Sequence, residues 1–218
     1  IGFQQPTDIQ RAMIVPALAG RDILGQARTG TGKTAAFGLP ICHRLDPTRG
    51  MQAIVLVPTR ELAVQVSAEI QRFNTHTRLR CVPVYGGQKI AHQLHQLGRK
   101  PHIIVGTPGR VMDFLGRRAF HFDEIRAVVL DEVDRMLDIG FRDDIRKILS
   151  QVRTEHQTIF VSATLSDEIT RLAKQYMKDP LELNVSRDQL TVDEVKQYYI
   201  TVQPWDKSSM LLKLLERD

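Results

Sequence analysis

The sequence predicts a doubly wound α/β domain with a mostly parallel sheet and helices on both faces. Short apolar runs, several of them nearly continuous in Val, Ile and Leu, are typical of strands buried on both faces of a parallel sheet. Stretches with apolar residues at helical spacing alternate with these runs. Ligands of such sheets bind beyond the carboxyl ends of the strands, so functional residues are expected directly after the strands.

The strands are predicted from the apolar runs, and four of the helices from apolar residues three or four positions apart. The predicted strands are Asp22–Gly25, Ala53–Val57, Arg80–Val84, His102–Val105, Ala127–Leu130, Thr158–Val161 and Leu181–Val185. The helical stripes are Leu62, Val66, Ile70 and Phe73; Ile90, Leu94 and Leu97; Phe141, Ile145, Ile148 and Leu149; and Ile169, Leu172, Ala173 and Tyr176. We interpret all four stripes as core packing.

The alternating pattern ends near residue 185, and the chain is predicted to have three parts. Residues 1–185 form the α/β domain. Residues 186–194 are polar and lack a clear period, which predicts a linker. The run "VKQYYITV" then predicts a strand and Lys207–Leu215 a helix, so residues 195–218 are interpreted as the incomplete start of a second domain.

Composition narrows the class of protein. The chain has 218 residues, of which 42% are hydrophobic and 25% charged, as in an ordinary globular protein with a core. The net charge of +5 is compatible with a polyanionic partner. Cys42 and Cys81 lack metal or redox spacing and are predicted to be reduced thiols, which favours a cytoplasmic protein, and a nuclear location is also compatible. No apolar run approaches the ~20 residues that span a bilayer.

Residues 27–34, "ARTGTGKT", are predicted to bind phosphate. They lie between a predicted strand, "DILGQ", and a predicted helix, "KTAAFGLPI", so backbone N–H groups and a helix N-terminus can both approach an anion. The P-loop pattern requires Gly, four residues and then Gly-Lys-Ser/Thr. Gly32, Lys33 and Thr34 fit this pattern, whereas Ala27 occupies its first position. Lys33 is expected to reach the outer phosphates of a nucleoside triphosphate, and Thr34 to hold Mg²⁺.

A second element of a nucleotide-hydrolysing site follows the apolar strand "AVVL", where residues 131–134 read "DEVD". Mg²⁺ prefers oxygen ligands, so Asp131 is expected to hold the metal directly or through water. Glu132 is expected to accept a proton from the attacking water. Lys33, Asp131 and Glu132 are therefore the candidate catalytic residues.

The segments "GFQQPTDIQ", "ARTGTGKT", "PTRELA", "TPGR", "DEVDRMLDIGF" and "SAT" occur in this order. Residues 1 to about 185 thereby resemble the amino-terminal, RecA-like lobe of DEAD-box ATP-dependent RNA helicases. Ala27 is the family's own form of the loop. Val133 stands where the family name has Ala, and we expect the flanking carboxylates to keep their places.

The resemblance implies a set of ATP-binding residues. Gln10 would read the adenine edge with its amide, as Gln does with adenine in DNA, and would thereby select ATP over GTP. The full implied set is Phe3, Thr7, Gln10, Ala27, Arg28, Thr29, Gly30, Thr31, Gly32, Lys33 and Thr34.

Three further segments follow predicted strands. They contain Pro58, Thr59 and Arg60; Gly86 and Gly87; and Thr107, Pro108, Gly109 and Arg110. Thr59 and Thr107 are expected to cap helices, and helix N-termini beside arginines bind anions. Three such elements at one end of a sheet suggest a track for a phosphodiester backbone. The resemblance implies that this track grips single-stranded RNA, mostly by phosphate and sugar and with little sequence specificity.

The segment "SAT", Ser162, Ala163 and Thr164, is on its own typical of an ordinary helix entry. The resemblance implies that it hydrogen-bonds Asp134, the last carboxylate of residues 131–134, which are called the box, and that it couples the ATP state to work on RNA.

The function implied by the resemblance is RNA-stimulated ATP hydrolysis that locally separates short RNA duplexes. A second lobe of the same chain would close on ATP and RNA and supply arginines, so residues 1–218 alone are expected to hydrolyse little ATP. Two alternatives stay open: an ATP-gated RNA clamp or scaffold with little unwinding, and, less favoured by the motifs, a DNA helicase. Neither a membrane nor a metal site built by the protein alone is expected.

Overall fold

The computed structural model describes residues 3–185 and 198–216. The chain divides into two compact units, residues 1–186 and 187–218. In the described part of the chain, no helix combines the length and apolar character needed to cross a membrane.

The first unit is built on one sheet of parallel strands. The strands are β1 Ile23–Gln26, β2 Ala53–Leu56, β3 Cys81–Val84, β4 Ile103–Gly106, β5 Ala127–Asp131, β6 Gln157–Ser162 and β7 Leu181–Asn184. Their order across the sheet is β3-β4-β2-β5-β6-β1-β7. The predicted parallel α/β fold is confirmed, and each predicted strand overlaps an observed one.

Helices connect successive strands. In the first unit they are α1 Asp8–Leu18, α2 Lys33–Arg44, α3 Arg60–Phe73, α4 Ile90–Leu97, α5 Pro108–Gly116, α6 Val133–Ile139, α7 Arg142–Gln151 and α8 Asp167–Tyr176. A parallel pair of strands needs such a crossover connection, which explains the regular alternation along the chain.

Two apolar cores cover the two faces of the sheet, because successive side chains of a strand point to opposite faces. In β5, Val129 belongs to the core formed with α1, α2 and α3. Its neighbours Val128 and Leu130 belong to the core formed with α5, α6, α7 and α8. Strands with apolar side chains on both sides have near-continuous apolar sequences, as the sequence pattern indicated.

The predicted helical stripes are buried or partly buried with one exception. Leu94 of α4 is 37% exposed, so its assignment to the core is wrong. The fully buried side chain of this helix is Gln93, whose amide donates to the carbonyl oxygen of Tyr85 (2.9 Å) and accepts from its N–H (3.1 Å). α4 follows the outermost strand β3, and the hydrogen bonds to Tyr85 accompany the burial of Gln93 in place of Leu94.

The second unit contains a short 3-10 turn, Pro204–Asp206, and α9, Lys207–Leu215, which confirms the predicted helix. Residues 198–202 of the predicted strand "VKQYYITV" are not in a strand. The described part of this unit contains no second strand to pair their backbone groups, which a stable strand requires. Residues 195–197 and the predicted linker 186–194 lie outside the described residues, so the division into these parts stays a prediction.

Candidate functional site

The candidate site residues lie along the rim formed by the carboxyl ends of the strands. Strands β5, β6 and β1 are neighbours, and they lead into "DEVD", "SAT" and the phosphate loop. Strands β3, β4 and β2 are also neighbours, and they lead into "YGGQ", "TPGR" and "PTREL". β2 pairs with β5, so the two groups form adjacent halves of one rim. The half formed by β5, β6 and β1 carries the predicted phosphate loop and is called the nucleotide half.

The phosphate loop is anchored at both ends. The N–H of Ala27 donates to the carbonyl oxygen of Ser162 at 2.9 Å, which ties the start of the loop to β6. The hydroxyl of Thr31 donates to the carbonyl oxygen of Arg28 at 2.8 Å. Gly32 is the N-cap of α2 with φ 85°, and Thr34 lies in the first turn of that helix. The backbone N–H groups at the start of α2 are therefore directed to the rim, as anion binding requires.

Lys33 and Asp131 form a buried pair at the centre of the nucleotide half. The ammonium nitrogen of Lys33 lies 3.7 Å from Asp131 Oδ1 and 3.4 Å from the carbonyl oxygen of Ala27. The two side chains are 7% and 4% exposed. Asp131 Oδ1 accepts no hydrogen bond from the residues that the structure describes. An oxygen that is buried, charged and incompletely bonded is suited to a metal-bound water or a metal ion.

Burial raises the pKa of the Asp131 carboxyl from 3.8 to about 6, Lys33 opposes the rise, and Glu132 adds to it. The folded protein therefore retains a proton between pH 4 and 6 that the unfolded chain releases, so stability falls as pH increases through this range. At about 1.4 kcal/mol for each pH unit, the loss reaches roughly 3 kcal/mol above pH 6. Denaturant unfolding from pH 4 to 7 of wild type and Asp131→Asn is expected to show this extra fall in wild type only. Parallel pH profiles for the two proteins would contradict it.

Glu132 is held in a strained backbone conformation. Its φ of 55° and ψ of 54° lie in the left-handed region, and it is the N-cap of α6. Non-glycine residues in this region are concentrated at functional sites. The carboxylate lies 3.3 Å from Arg135 Nη1, and the Glu132 side chain is 12% exposed. Val133 is fully buried in the core formed with α5 to α8, so its added methyl groups point into the fold.

Asp134 connects the box to the "SAT" segment. Its carboxylate Oδ2 accepts from the backbone N–H of Thr164 at 3.0 Å and from the Thr164 hydroxyl at 3.1 Å. Ser162 makes a different contact from the one implied by the resemblance, because its Oγ accepts from the backbone N–H of Asp134 at 3.2 Å. The carbonyl oxygen of Ala163 accepts from Gln26 Nε2 at 3.2 Å. The ends of β5, β6 and β1 are thereby joined by side-chain hydrogen bonds.

Gln10 contacts the phosphate loop through its side-chain amide. Its Nε2 donates to the carbonyl oxygen of Gly32 at 3.1 Å, and its Oε1 accepts from the N–H of Thr7 at 3.0 Å. This second bond is half of a capping box at the start of α1. Each amide atom retains one further hydrogen-bonding position, which an adenine edge requires. Phe3 is 54% exposed and its ring lies 6.3 Å from that of Phe73, so its role in ATP binding stays a prediction.

Two glycines of the loop offer a matched pair of substitutions. Gly30 and Gly32 have φ of 78° and 85°, so Ala at either position is strained by about 1–2 kcal/mol. A Cβ on Gly30 meets nothing within 4 Å, whereas a Cβ on Gly32 would lie 2.4 Å from Gln10 Nε2. We expect thermal unfolding to show a loss about 1–3 kcal/mol larger for Gly32→Ala, because the Gln10 bond breaks as well. Equal losses would show that Gln10 does not anchor the loop.

The other half of the rim contains the candidate nucleic-acid residues. Thr59 caps α3, since its hydroxyl accepts from the N–H of Leu62 at 3.2 Å. The Arg60 guanidinium lies over the Tyr85 ring at 5.7 Å. A Cβ on Gly87 would lie 3.6 Å from Arg60 Nη1, which brings the segments after β2 and β3 together. Pro58 is buried beneath them, and Gly86 and Gly87 are exposed.

The segment after β4 differs in two respects from the sequence prediction. Thr107 is the N-cap of α5, yet its side chain makes no capping hydrogen bond. Pro108 occupies the first helical position and has no N–H. Arg110 was expected to present its cation at the helix end, but its Nη1 donates to the carbonyl oxygen of Gln88 (3.3 Å) and its guanidinium lies over the Phe114 ring (5.4 Å). Gly109 is exposed beside it.

Sequence reasoning missed three side chains that position the site. Gln93 holds Tyr85, Gln26 holds Ala163, and Arg135 pairs with Glu132. A Gln at a buried helix position was an available signal for Gln93, because a buried amide needs partners, whereas Gln26 is only half-buried. Arg135 had the signal of an opposite charge three residues after Glu132.

Comparison with known proteins gives a consistent family. The model of the family described as "DEAD/DEAH box helicase" matches residues 7–172. A DEAD-box ATP-dependent RNA helicase CshA from Bacillus cereus is 46% identical over 217 residues, which is 99% of this chain and 41% of that protein. The protein of the same name from Bacillus subtilis is 45% identical over 99% of this chain and 44% of its own length. The chain thus spans less than half of these curated relatives.

Solved structures show the same fold. A crystal structure of a DEAD box protein from the hyperthermophile Methanococcus jannaschii has a TM-score of 0.82 and 37% identity, and the match covers 99% of this chain and 58% of that one. A hypothetical ATP-dependent RNA helicase from Sulfolobus tokodaii has a TM-score of 0.79 and 34% identity over 84% of this chain and 54% of that one. On the family match and these identities, the chain belongs to the DEAD/DEAH box helicase family.

Proposed function

We propose that the protein containing this chain is an ATP-dependent RNA helicase, and that residues 3–185 bind its nucleotide and part of its RNA. The observation that carries the proposal is the single rim on which the Lys33–Asp131 pair and the three segments after β2, β3 and β4 lie side by side. The relatives named DEAD-box ATP-dependent RNA helicases support the same function.

ATP is the proposed substrate of the nucleotide half. Residues 27–34 offer backbone N–H groups to the phosphates, and Lys33 offers a positive charge. Gln10, already bonded to Gly32, would meet the adenine edge while remaining attached to the loop. Through this hydrogen bond, binding of the adenine base would influence the position of the phosphate loop.

Magnesium is the proposed metal, and the residues fit it. Asp131 Oδ1 is buried and lacks a hydrogen-bond donor among the described residues, and the hydroxyl of Thr34 lies in the first turn of the adjoining helix. Among those residues there is no group of three or more His, Cys, Asp or Glu able to enclose a metal, which suits an ion held mainly by phosphate and water. When bound, the ion would offset negative charge on the phosphates.

Hydrolysis would depend on Glu132 and on groups that residues 1–218 do not include. The Glu132 carboxylate would orient the attacking water and accept its proton. Arginines of a second lobe would stabilise charge on the transferred phosphoryl group, and such residues raise rates by ~10³–10⁵. Residues 1–218 alone would therefore turn over ATP slowly.

RNA would bind the other half of the rim. The α3 N-terminus and Arg60 offer donors to phosphate, and the exposed Gly86 and Gly87 permit a backbone to approach closely. Contacts of this kind read little sequence. Contacts to 2′-hydroxyls would favour RNA over DNA.

The bonds from Thr164 to Asp134 are proposed to transmit nucleotide state to the RNA-binding surfaces. In the full-length protein, Ser162→Ala with Thr164→Ala is expected to reduce separation of a short RNA duplex at least about tenfold. The same variant should keep RNA-stimulated ATP hydrolysis within about threefold, because Lys33, Asp131 and Glu132 are intact. Strand separation and phosphate release would be measured on the same preparation.

A Ser166→Ala variant serves as the matched control, because Ser166 lies four residues after Ser162 and its hydroxyl caps α8 by accepting from the N–H of Ile169. Equal losses of unwinding and hydrolysis would contradict the coupling role. Hydrolysis stimulated by RNA without any strand separation in wild type would instead favour an ATP-gated RNA clamp.

A further inference from the structure

The positive charge of the chain is concentrated in one stretch of sequence. Residues 70–112 contain no Asp or Glu, although the chain has 25 of them. The same stretch contains seven basic residues: Arg72, Arg78, Arg80, Lys89, Arg99, Lys100 and Arg110. Since the whole chain has a net charge of +5, the remaining residues are together slightly negative. A charge asymmetry of this size indicates a localised surface for a polyanion.

This stretch folds into one edge of the sheet. It comprises the end of α3, β3, α4, β4 and the start of α5, and β3 is the outermost strand on that side. Gly86, Gly87 and Arg110 lie at the carboxyl ends of these strands, in the proposed RNA track. Four other basic residues precede the same two strands: Arg78, Arg80, Arg99 and Lys100. We name these four residues the basic edge.

The basic edge is exposed and its charges are not neutralised by nearby carboxylates. Within the described residues, none of its four members forms an ion pair with Asp or Glu. The members are close in space, because Arg80 Nη2 donates to the carbonyl oxygen of Lys100 at 2.8 Å. Arg80 and Arg99 line a cleft of about 420 Å³ together with Gln71 and Gln96, and no acidic residue lines it.

The backbone of β3 disfavours the addition of a peptide strand to this edge of the sheet. The carbonyl oxygens of Arg80 and Val84 bond to β4, so the alternate residues Cys81 and Pro83 face outward. The outward carbonyl of Cys81 already accepts from Gln71 Nε2 at 2.9 Å, and Pro83 has no N–H. An added peptide strand would therefore find few free partners here, whereas a phosphate backbone requires only cations and donors.

We propose that the basic edge binds the sugar–phosphate backbone of RNA that extends beyond the track. This proposal rests on the proposed function of the rim. Four residues of β3 separate the two surfaces by about 13 Å, the length of roughly four phosphates of a helical strand. RNA that fills only the track would not reach the basic edge, and longer RNA would.

The test uses the full-length protein with Arg78, Arg99 and Lys100 each changed to Gln. Arg80 is retained because it bonds the backbone of Lys100. The matched control changes Arg153, Arg171 and Lys174 to Gln, which removes the same charge from exposed positions just after α7 and on α8. Thermal unfolding of both variants verifies that they are folded.

Binding would be measured by fluorescence anisotropy with a non-hydrolysable ATP analogue and three RNAs. These are a strand of about five nucleotides, too short to fill the track and also span the ~13 Å to the basic edge, a 30-nucleotide strand, and the short strand carrying a flanking duplex. The basic-edge variant is expected to bind one or both longer RNAs about tenfold more weakly than the control variant does. The slope of log affinity against log salt concentration should also become shallower, by an amount that corresponds to about two to three fewer phosphate contacts. Its affinity for the short strand should equal that of the control.

The two longer RNAs distinguish a single strand from a duplex as the bound flank. Equal affinity of both variants for all three RNAs would overturn the proposal, as would an equal loss on the short strand. If the two variants bind all three RNAs equally but the basic-edge variant binds an acidic polypeptide more weakly than the control does, the edge would be assigned to a protein partner instead. Failure of wild type to bind any of the RNAs would refute the proposed function itself, which is a different outcome.

Discussion

Lys33→Ala is expected to reduce RNA-stimulated ATP hydrolysis by the full-length protein at least about 100-fold. Lys33 provides the cation directed at the phosphate loop, with its Nζ 3.7 Å from Asp131 and 3.4 Å from the carbonyl of Ala27. Its removal also leaves the buried Asp131 without a counter-charge, which would increase the pKa of that carboxyl further. Turnover would be measured by phosphate release at saturating RNA.

A double variant tests the effect of Lys33→Ala on stability. Lys33→Ala with Asp131→Asn removes both charges of the buried pair, so the double variant should unfold at a higher temperature than Lys33→Ala alone. Its ATP turnover should remain as low as that of the single variant. Because Asp131 is itself proposed to hold the metal, the low turnover of the double variant carries no information on Lys33. An unfolding temperature equal to that of Lys33→Ala would contradict the role of Lys33 as the counter-charge of Asp131.

Glu132→Gln is expected to lower turnover by roughly 10²–10⁴-fold while ATP binding is retained. The substitution keeps the shape of the side chain but removes its capacity to accept a proton. The strained backbone of Glu132, with φ of 55°, fixes where this carboxylate lies. Phosphate release and the affinity for a labelled ATP analogue would be measured on the same protein.

Arg135→Ala is the control for Glu132→Gln. It removes the ion pair to Glu132 but keeps the carboxylate, and a pair whose arginine is 58% exposed to solvent contributes about 1 kcal/mol. Turnover by Arg135→Ala should therefore stay within about fivefold of wild type. A loss equal to that of Glu132→Gln would indicate that the ion pair, and not proton transfer, is what the reaction requires.

The strands and the positions of the motifs could be predicted from the sequence because both depend on local patterns. The apolar run before Asp131 predicts a strand end, and the glycines before Lys33 predict a turn. Neither prediction depends on a distant residue. The doubly wound fold then predicts that both lie at the carboxyl ends of parallel strands. That is sufficient to expect Lys33 and Asp131 near each other, and Lys33 Nζ lies 3.7 Å from Asp131 Oδ1.

What could not be predicted depends on contacts between distant segments. The bond from Gln10 to Gly32 joins α1 to the phosphate loop, and the Thr107 side chain makes no capping hydrogen bond at the start of α5. The exposure of Leu94 follows from the polar contacts of Gln93 with the loop after β3. For Leu94, hydrogen bonds of the neighbouring residue overrode the periodic expectation.

Asp22 illustrates the same limit at the start of β1. It was predicted as a strand residue, but it precedes the strand, and its carboxylate accepts from the N–H groups of Thr158 (2.7 Å) and Lys178 (2.6 Å). A buried carboxylate is stabilised by such donors. Their identity depends on the strand order β6-β1-β7, which no local pattern contains.

The most direct measurement is a crystal structure of the chain with a non-hydrolysable ATP analogue, magnesium and a short RNA strand. We expect the outer phosphates to lie within hydrogen-bond distance of Lys33 Nζ, and the metal to be bound to Asp131 directly or through one water. The RNA backbone should lie across the segments that follow β2, β3 and β4. A triphosphate bound away from residues 27–34, or an RNA strand on a different face of the sheet, would contradict it.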